Sequence, residues 1–148
     1  MKKTKPDRIV EELRELVRRA GLRRTASRIA VMRCLYEAAA PVSHADVAGL
    51  LAAQGFDNST VFRNLKELAE AGILSRVELG DRVFRYEWRR ERGGHDAGEH
   101  PHFLCVDCGE VSCLPDVTVN ITPTPGSKRS TVSDVTQVLL KGHCERCG

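Results

Sequence analysis

Apolar residues recur at every third or fourth position through the first 72 residues, and this period predicts a series of amphipathic helices. The predicted helices end at Gly21, at the segment 38–41, at Gly55 and at Gly72. The residues that the pattern turns inward are Ile9, Leu13, Leu16 and Ala20 with Val10 and Val17 beside them, then Ile29, Met32, Leu35 and Tyr36, then Val47, Leu50 and Leu51, and finally Val61, Leu65 and Leu68.

Short polar residues precede these helices where they can accept hydrogen bonds from free backbone amides. Thr25 or Ser27 is expected to begin the second helix, and the segment 57–59 (Asp-Asn-Ser) the fourth. Ser43 and Asp46 form a capping pair for the third. The pattern therefore predicts where the helices start as well as which faces they bury.

After Gly72 the apolar period shortens to two, which predicts a β-hairpin. Gly80 and Asp81 form its turn. The alternating apolar residues are Ile73, Val77 and Leu79 in the first strand and Phe84, Tyr86 and Trp88 in the second. Helices followed by a hairpin describe a winged helix-turn-helix, so residues 1–88 are predicted to form one domain.

The remaining residues predict a linker and a second, smaller domain. Residues 89–98 are charged and glycine-rich with no apolar period, which is typical of a linker or hinge. Residues 99–148 are expected to form an α/β or mostly β domain, with short strands over 103–122 that include Val117, Val119 and Ile121. A loop over 122–130 and a last strand over 135–140 follow. The predicted fold class is therefore α+β.

Two Cys-x-x-Cys pairs, each followed by glycine, lie in the second domain. Two such pairs complete a tetrahedral shell of four thiolates, and the glycines permit the tight turns. The spacing predicts a structural zinc ion bound by Cys105, Cys108, Cys144 and Cys147. A redox-active pair would need a strand-to-helix setting, which neither pair has.

The other two cysteines have different settings. Cys34 fits the apolar pattern of its helix and is expected in the core. Cys113 lies five residues beyond the first pair, and three interpretations stay open for it: a core residue, a neighbour of a metal, or a sensing thiol.

His100 and His102 are separated by one residue, so an extended chain turns both imidazoles to the same side, as chelation requires. Glu87 at the end of the hairpin and His44 or Glu99 are candidate further ligands. A metal bound by both halves would fix their relative orientation. The alternatives are a histidine-rich surface strand and, for His44, a polar residue in the first turn of its helix.

The fourth helix is the candidate DNA-reading element, because the N-terminal end of the second helix in a helix-turn-helix lies in the major groove. Arginine and asparagine pair with guanine and adenine edges, and threonine or phenylalanine contacts the thymine methyl. The residues predicted on its exposed sides are Ser59, Thr60, Phe62, Arg63, Asn64 and Lys66, and Arg23 and Arg24 are predicted phosphate contacts. The alternative is an ordinary solvated helix face.

The charge distribution favours a polyanionic partner. The formal net charge is only +3, but residues 1–92 carry 19 Lys and Arg against 13 Asp and Glu, whereas residues 93–148 carry 4 against 7. No apolar run approaches the roughly 18 residues of a membrane helix, and the charged start lacks the apolar stretch of a signal peptide. A cytoplasmic protein without a membrane partner is expected.

No motif for nucleophilic or phosphoryl chemistry occurs, so neither an enzyme nor a small organic substrate is predicted. A hydrolytic zinc enzyme is disfavoured because catalytic zinc keeps an open coordination position, whereas a four-thiolate site is closed. The glutamate and histidine ligand set suits Fe(II), Mn(II), Zn(II) or Ni(II), and the affinity order alone does not choose among them.

Five segments follow one another along nearly the whole chain: GLRRTASRIAVMRCL, STVFRNLKELAEAGILSRVELGD, RYE, HPHFLCVDCGEV and GHCERCG. In this order they resemble the ferric uptake regulator (Fur) family of metal-responsive transcriptional regulators. The resemblance implies a homodimer whose C-terminal domains pair. It also implies a sensed divalent metal at the hinge that closes the winged helices onto a palindromic operator in double-stranded DNA, usually repressing uptake genes.

Carried over by position, the resemblance makes the four cysteines of the two pairs the structural zinc ligands, and Glu87, His100 and His102 ligands of the regulatory metal. Thr60, Phe62 and Arg63 match the recognition-helix signature, in which phenylalanine replaces the usual tyrosine.

The chain departs from the family pattern in three further places. The family's histidine-rich run is interrupted here as Glu99-His100-Pro101-His102, which disfavours an additional metal site based on that run. The family's N-terminal histidine ligand aligns at or near Pro41, which leaves His44 as a candidate substitute. The helix that the family commonly has between its C-terminal strands is not expected in residues 117–134, which are rich in Thr, Pro, Ser and Gly. A peroxide or thiol sensor on the same fold is the alternative function, with oxidation of His100 or His102 or chemistry at Cys113.

Overall fold

Helices followed by a hairpin form the first part of the chain, as the apolar period predicts. The computed structural model describes residues 5–89, 100–126, 135 and 137–148. The chain divides into two compact units, Met1–Arg89 and Arg90–Gly148, and residues 90–98 of the predicted linker lie outside the described residues. The first unit contains α1 (Lys5–Arg19), α2 (Ala26–Glu37), β1 (Val42–Ser43), α3 (His44–Leu51), a 3-10 turn (Ala52–Gln54), α4 (Asn58–Glu70), β2 (Leu74–Glu78) and β3 (Phe84–Trp88).

The predicted helix caps are confirmed. The side chain of Thr25 accepts a hydrogen bond from a backbone amide in the first turn of α2. Ser43 and Asp46 form a reciprocal capping box at α3. Asp57 accepts a hydrogen bond from the backbone N–H of Thr60 over 2.7 Å at the start of α4. These side chains satisfy amides that have no partner within their helices, so each helix start is determined locally.

One apolar stripe from each helix packs against the others and against the hairpin. Three of the predicted inward residues are exposed instead: Leu16 (37%), Tyr36 (46%) and Leu50 (65%). In α1, Val17 is buried rather than Leu16, because Leu13 and Val17 are four residues apart and share one face. The buried cluster consists of Leu13, Val17, Val31, Met32, Leu35, Val47, Ala48, Leu51, Val61, Leu65, Leu68, Leu74 and Tyr86, and the predicted core residue Cys34 is partly buried against it.

The predicted hairpin is confirmed as part of a three-stranded antiparallel sheet with the order β1-β3-β2. β2 begins at Leu74 rather than Ile73, and Leu74 lies opposite Trp88. Leu74 is buried while Ile73 is only partly so. The short strand β1 adds to the other edge of β3, and two residues are too few for a periodic signal in the sequence. Helices closed by this sheet form a winged helix-turn-helix.

The described part of the second unit contains a three-stranded sheet with the order β5-β4-β6. Its strands are β4 (His102–Cys105), β5 (Val111–Cys113) and β6 (Leu139–Gly142). β4 pairs antiparallel with β5 and parallel with β6. The fold class is α+β, as predicted. Within the described residues, no helix is long and apolar enough to cross a membrane.

Two strand predictions in the second unit are wrong. The last strand is Leu139–Gly142 rather than 135–140, because its partner β4 extends to Cys105, which pairs with Gly142. Residues 117–124 form no strand, and the side chains of Val117, Val119 and Ile121 are 43%, 39% and 75% exposed. An alternating pattern becomes a strand only with a pairing partner, and none of the described strands pairs with this segment. Of the predicted loop over 122–130, residues 127–130 lie outside the described residues.

Candidate metal centres and nucleic-acid interface

Parallel pairing of β4 with β6 brings the two Cys-x-x-Cys pairs together. Cys105 ends β4, and Cys144 follows β6 by two residues. Since Cys105 pairs with Gly142 at the carboxyl ends of two parallel strands, both turns begin at the same end of the sheet. The turns form a cluster of four sulfur atoms that all lie within 4.8 Å of one another, those of Cys105, Cys108, Cys144 and Cys147.

Each turn is closed by a hydrogen bond from the glycine that follows it. The N–H of Gly109 donates to the carbonyl of Cys105 over 3.0 Å, and the N–H of Gly148 donates to the carbonyl of Cys144 over 2.8 Å. Gly109 has a φ of +71°, a conformation that favours glycine. The glycines therefore permit the turns that aim both sulfur atoms of a pair at one point.

The pKa values of the cysteines in this cluster are shifted in opposite directions. Hydrogen bonds from the backbone N–H of Cys108 and then of Cys144 lower the pKa of Cys105 to about 6. A hydrogen bond with the thiol of Cys144, followed by one with Cys108, raises the pKa of Cys147 to about 12. Four sulfur atoms this close carry their full negative charge only beside a cation, and a tetrahedral set of four thiolates is the donor set of structural zinc.

A second group of metal-ligand side chains lies in the same unit. His100, His102 and Cys113 each contribute one ligand atom to a cluster in which the atoms are within 4.8 Å of one another. The two imidazole rings are 4.7 Å apart between centroids. His102 lies directly opposite Cys113 across the β4–β5 pair and is 1% exposed. Of the three interpretations that the sequence leaves open for Cys113, this placement matches a neighbour of a metal site.

Glu87 and His44, the other predicted regulatory ligands, lie in the first unit. Glu87 is in β3 opposite Ser75. His44 is the first residue of α3, and its Nε2 atom is 2.9 Å from the carbonyl oxygen of Asn58. The imidazole of His44 also packs edge-on against the ring of Phe62. Glu99, the alternative to His44, lies outside the described residues, and metal binding by Glu87, His44 or Glu99 stays a prediction.

The exposed side of the N-terminal half of α4 presents four of the predicted DNA contacts. The N-terminal cap by Asp57 fixes where this helix begins. The ring of Phe62 is 52% exposed although it is apolar. The other members of this surface are Ser59, Thr60 and Arg63, of which Thr60 is partly buried and the others are exposed. The surface combines a hydroxyl pair, an aromatic ring and a guanidinium group, which are suited to base edges and thymine methyls.

The prediction that Asn64 lies on this exposed side is wrong. Asn64 is 5% exposed, and its Nδ2 donates a hydrogen bond to Oγ of Ser27 in α2 over 3.1 Å. Asn64 follows the buried residue Val61 by three positions and precedes Leu68 by four, so it falls on the inward face of α4. It is a helix-packing residue.

Arg23 and Arg24, the predicted phosphate contacts, are exposed in the segment between α1 and α2. The backbone carbonyl of Arg23 accepts a hydrogen bond from the buried guanidinium of Arg28 over 2.7 Å. Arg28 also pairs with Glu67 of α4. Through these two contacts, Arg28 links the segment that carries the two exposed arginines to α4. The contacts fix the position of that segment relative to the candidate recognition helix.

Sequence comparison identifies related proteins. The sequence model of the ferric uptake regulator family matches residues 19–136. The chain is 38% identical over 53 residues to the ferric uptake regulation protein of Bacillus subtilis (strain 168), a match that covers 36% of this chain and 34% of that protein. It is 27% identical over 108 residues to the peroxide-responsive repressor PerR of Staphylococcus epidermidis, covering 71% of this chain and 67% of that protein. The chain thus spans about a third of the first relative and two thirds of the second.

A solved structure shares the fold. The ferric uptake regulator of Pseudomonas aeruginosa with manganese aligns with a TM-score of 0.60 at 25% sequence identity, covering 90% of this chain and 98% of that chain. Since either unit alone is shorter than the aligned part, the similarity extends into both.

Proposed function

Because the chain belongs to the ferric uptake regulator family, whose members are metal-responsive transcription regulators, we propose that it is a metal-dependent DNA-binding repressor. In this proposal it acts as a homodimer on a palindromic operator and controls genes of metal uptake or homeostasis. Zinc in the four-cysteine cluster has a structural role, and a second divalent metal regulates DNA binding. The protein performs no catalysis and takes no organic substrate.

One observation carries the proposal: a single small unit contains two ligand clusters of different chemistry. The cluster of Cys105, Cys108, Cys144 and Cys147 contains sulfur only, whereas the second cluster contains the imidazoles of His100 and His102. A closed four-sulfur shell suits a permanently bound ion. Imidazole ligands suit several exchangeable divalent metals. The difference between the two ligand sets supports a structural ion in the four-sulfur cluster and a regulatory ion in the histidine cluster.

The structural zinc would connect the ends of two strands that are distant in the sequence. Cys105 ends β4 and Cys144 lies in the turn after β6, and the N–H of Cys144 donates a hydrogen bond to the sulfur of Cys105. Other side-chain contacts between the two turns are those of His143 with Asp107 and of Arg146 with Glu110, all of them exposed. A zinc ion bound to both turns stabilises their pairing by its binding free energy, which in zinc domains is folding free energy. The second unit is therefore expected to depend on zinc for its fold.

The regulatory metal would be held by His100 and His102, with Glu87 and His44 as predicted further ligands. Fe(II), Mn(II), Zn(II) and Ni(II) are the candidates that this ligand set allows. The P. aeruginosa relative has been determined with manganese. A metal changes DNA affinity only if it binds the DNA-competent conformation more tightly than the other one.

DNA recognition would use the N-terminal half of α4 in the major groove. Thr60, Phe62 and Arg63 are proposed to contact base edges together with Ser59, and Arg23 and Arg24 to contact phosphates. The exposed ring of Phe62 supports an apolar contact with a thymine methyl. In a homodimer, two such helices would read two half-sites one helical turn apart, which requires a palindromic operator.

A selection experiment tests the proposal as a whole. The zinc-loaded protein is incubated with a library of random duplex DNA in the presence of each candidate metal, and the recovered sequence is then titrated by fluorescence anisotropy. We expect a palindromic sequence whose affinity rises with one of the metals and falls when that metal is removed by a chelator. Equal affinity with and without every metal would contradict metal control, and recovery of no common sequence would contradict operator recognition.

Peroxide sensing is the second candidate function, because the chain is similar to the repressor PerR of S. epidermidis over 71% of its length. An iron-loaded site would then place the oxidisable rings of His100 and His102 beside the metal. Mass spectrometry after peroxide treatment separates the two functions. A peroxide sensor would show oxidised histidine or cysteine at the dose that abolishes DNA binding, whereas a metal sensor would lose binding only when the metal is removed.

A further inference from the structure

Cys113 shares its immediate surroundings with the two histidines of the proposed regulatory site. Its sulfur atom lies within 4.8 Å of one ring nitrogen of His100 and of one ring nitrogen of His102. These two nitrogens also lie within 4.8 Å of each other. Cys113 is half-buried at the end of β5. Three ligand atoms at mutual distances of this size can surround a single ion with small side-chain movements.

Strand geometry fixes this arrangement. Cys113 pairs with His102 across the antiparallel β4–β5 ladder, and the side chains of directly opposed residues lie on the same face of a sheet. His100 is two positions before His102, and its ring lies at 4.7 Å from that of His102 between centroids, tilted by 56°. The register of two strands therefore positions His102 and Cys113, and His100 precedes the start of β4 by two residues.

The cluster is separate from the four-cysteine site. His102 begins β4 and Cys105 ends it, three residues later, so their backbones are about 10 Å apart at the rise of an extended strand. An odd separation also turns the two side chains to opposite faces of the sheet. Cys113 accordingly groups with the histidines, and the four sulfur atoms of the other site form a group without it.

We propose that Cys113 is a thiolate ligand of the regulatory site and that it makes this site selective for zinc over manganese and iron. This inference rests on the proposed function, and it identifies the metal that the proposal leaves open. Thiolate is a soft ligand that selects zinc, whereas manganese prefers carboxylate, carbonyl and water oxygens. Two imidazoles and one thiolate fill three positions of a tetrahedral zinc shell and leave one for a further ligand.

Cobalt(II) spectroscopy tests the ligand directly in the full-length protein. The four-cysteine site is first filled with one equivalent of zinc, and Co(II) is then added to the wild type, to Cys113→Ser and to the control Cys34→Ser. We expect a thiolate-to-cobalt charge-transfer band in the near ultraviolet for the wild type and Cys34→Ser, and no such band for Cys113→Ser. The same band in Cys113→Ser would overturn the proposal.

Metal selectivity provides the second readout. The ratio of zinc to manganese affinity, measured by competition with a metal indicator, should fall more than about 100-fold in Cys113→Ser, beyond what loss of an outer-sphere partner costs. Cys113→Asp, which supplies a hard oxygen ligand of similar size, should bind manganese more tightly than the wild type does. This gain of binding tests the proposal even if Cys113→Ser folds poorly. An unchanged ratio in both variants would overturn it.

Failure of the inference is distinguishable from failure of the proposed function. If no metal alters the DNA affinity of the wild type, metal-controlled repression is wrong, whatever the spectra show. If the wild type responds to metal while Cys113→Ser keeps the same cobalt band, the same selectivity and the same metal response, then Cys113 is not a ligand and only the inference is wrong.

Discussion

Asn64 donates a hydrogen bond from Nδ2 to Oγ of Ser27 over 3.1 Å, and this bond joins α4 to α2. The two helices form the helix-turn-helix framework together with α3. The bond lies on the inward face of α4, because Asn64 is 5% exposed. A polar residue of the candidate recognition helix therefore orients that helix and does not face DNA.

Replacing Asn64 by alanine should lower the free energy of unfolding by about 1–2 kcal/mol, because a buried hydrogen bond is lost. Base specificity on the selected operator should stay unchanged. Urea denaturation followed by circular dichroism measures the first effect, and Lys66→Ala on the exposed side is the control, with a change within about 0.5 kcal/mol. Undiminished stability combined with relaxed specificity at one base pair would instead assign Asn64 to DNA reading.

The pair of Arg28 and Glu67 should contribute more than exposed ion pairs do. The side chain of Arg28 is 8% exposed, and its Nε atom has no hydrogen-bond partner among the described residues. Glu67→Gln is expected to lower the free energy of unfolding by about 1.5–3 kcal/mol, because the buried guanidinium loses its charged partner.

Glu70→Gln is the matched control, since Glu70 is exposed and 3.9 Å from Lys66. It should change the unfolding free energy by less than about 0.5 kcal/mol. Chemical denaturation of both variants under identical metal loading measures the difference. Equal effects of the two substitutions would show that burial of Arg28 adds nothing to the pair.

Arg63 and Arg24 should differ in how they affect DNA binding. Arg63→Ala should weaken operator binding by about 1–3 kcal/mol and relax the preference at one base pair, as expected for a residue that reads a base. Arg24→Ala should weaken binding to all sequences equally. It should also reduce the slope of log affinity against log salt concentration by about one, since one phosphate contact is lost. Anisotropy titrations on operator and scrambled duplexes at several salt concentrations measure both. A uniform loss for Arg63→Ala would reassign it to a phosphate.

Cys147→Ser should release one zinc ion per chain and unfold the second unit, since three thiolates no longer close the tetrahedral shell. Cys34→Ser is the control, because Cys34 lies in α2 and packs against the core of the first unit. Zinc content by mass spectrometry and near-ultraviolet circular dichroism measure the two effects. Retention of a full zinc equivalent by Cys147→Ser would contradict the assignment of the four-cysteine site.

The cap of α4 should make the stability of the first unit depend on pH. The backbone hydrogen bond from Thr60 lowers the pKa of Asp57 below its ordinary value. A lowered folded-state pKa adds stability above the unfolded pKa of about 3.9, and this stability is lost as the pH falls through the folded-state pKa.

Asp57→Asn keeps a side-chain acceptor and lacks the charge, so its melting temperature should lie below that of the wild type near neutral pH and approach it in acid. Thermal unfolding between pH 6 and pH 3 measures the difference, and Asp57→Ala, which loses the cap at every pH, is the control. A difference that stays constant over this range would show that the carboxylate charge is unimportant.

Residues that act within one helix or one turn could be predicted from the sequence. The cap at Asp57 needs only the backbone N–H three positions later. The glycine after each Cys-x-x-Cys pair likewise makes its hydrogen bond within the same turn. The helix starts and the inward stripe Val61, Leu65 and Leu68 follow for the same reason. The strand β1 cannot be predicted in this way because two residues carry no period. The alternation around Ile121 predicts a strand, but no described strand pairs with that segment.

The helix order, the winged helix and the pairing of the two cysteine motifs can be predicted without a structure, and so can the candidate histidine ligands, because each has a local period or spacing. The position of Asn64 against α2 and that of Cys113 beside His102 emerge only in the folded chain. Both depend on contacts between separate elements. Strand register and helix packing are set by the burial of whole faces, so no short segment encodes which side chains then meet.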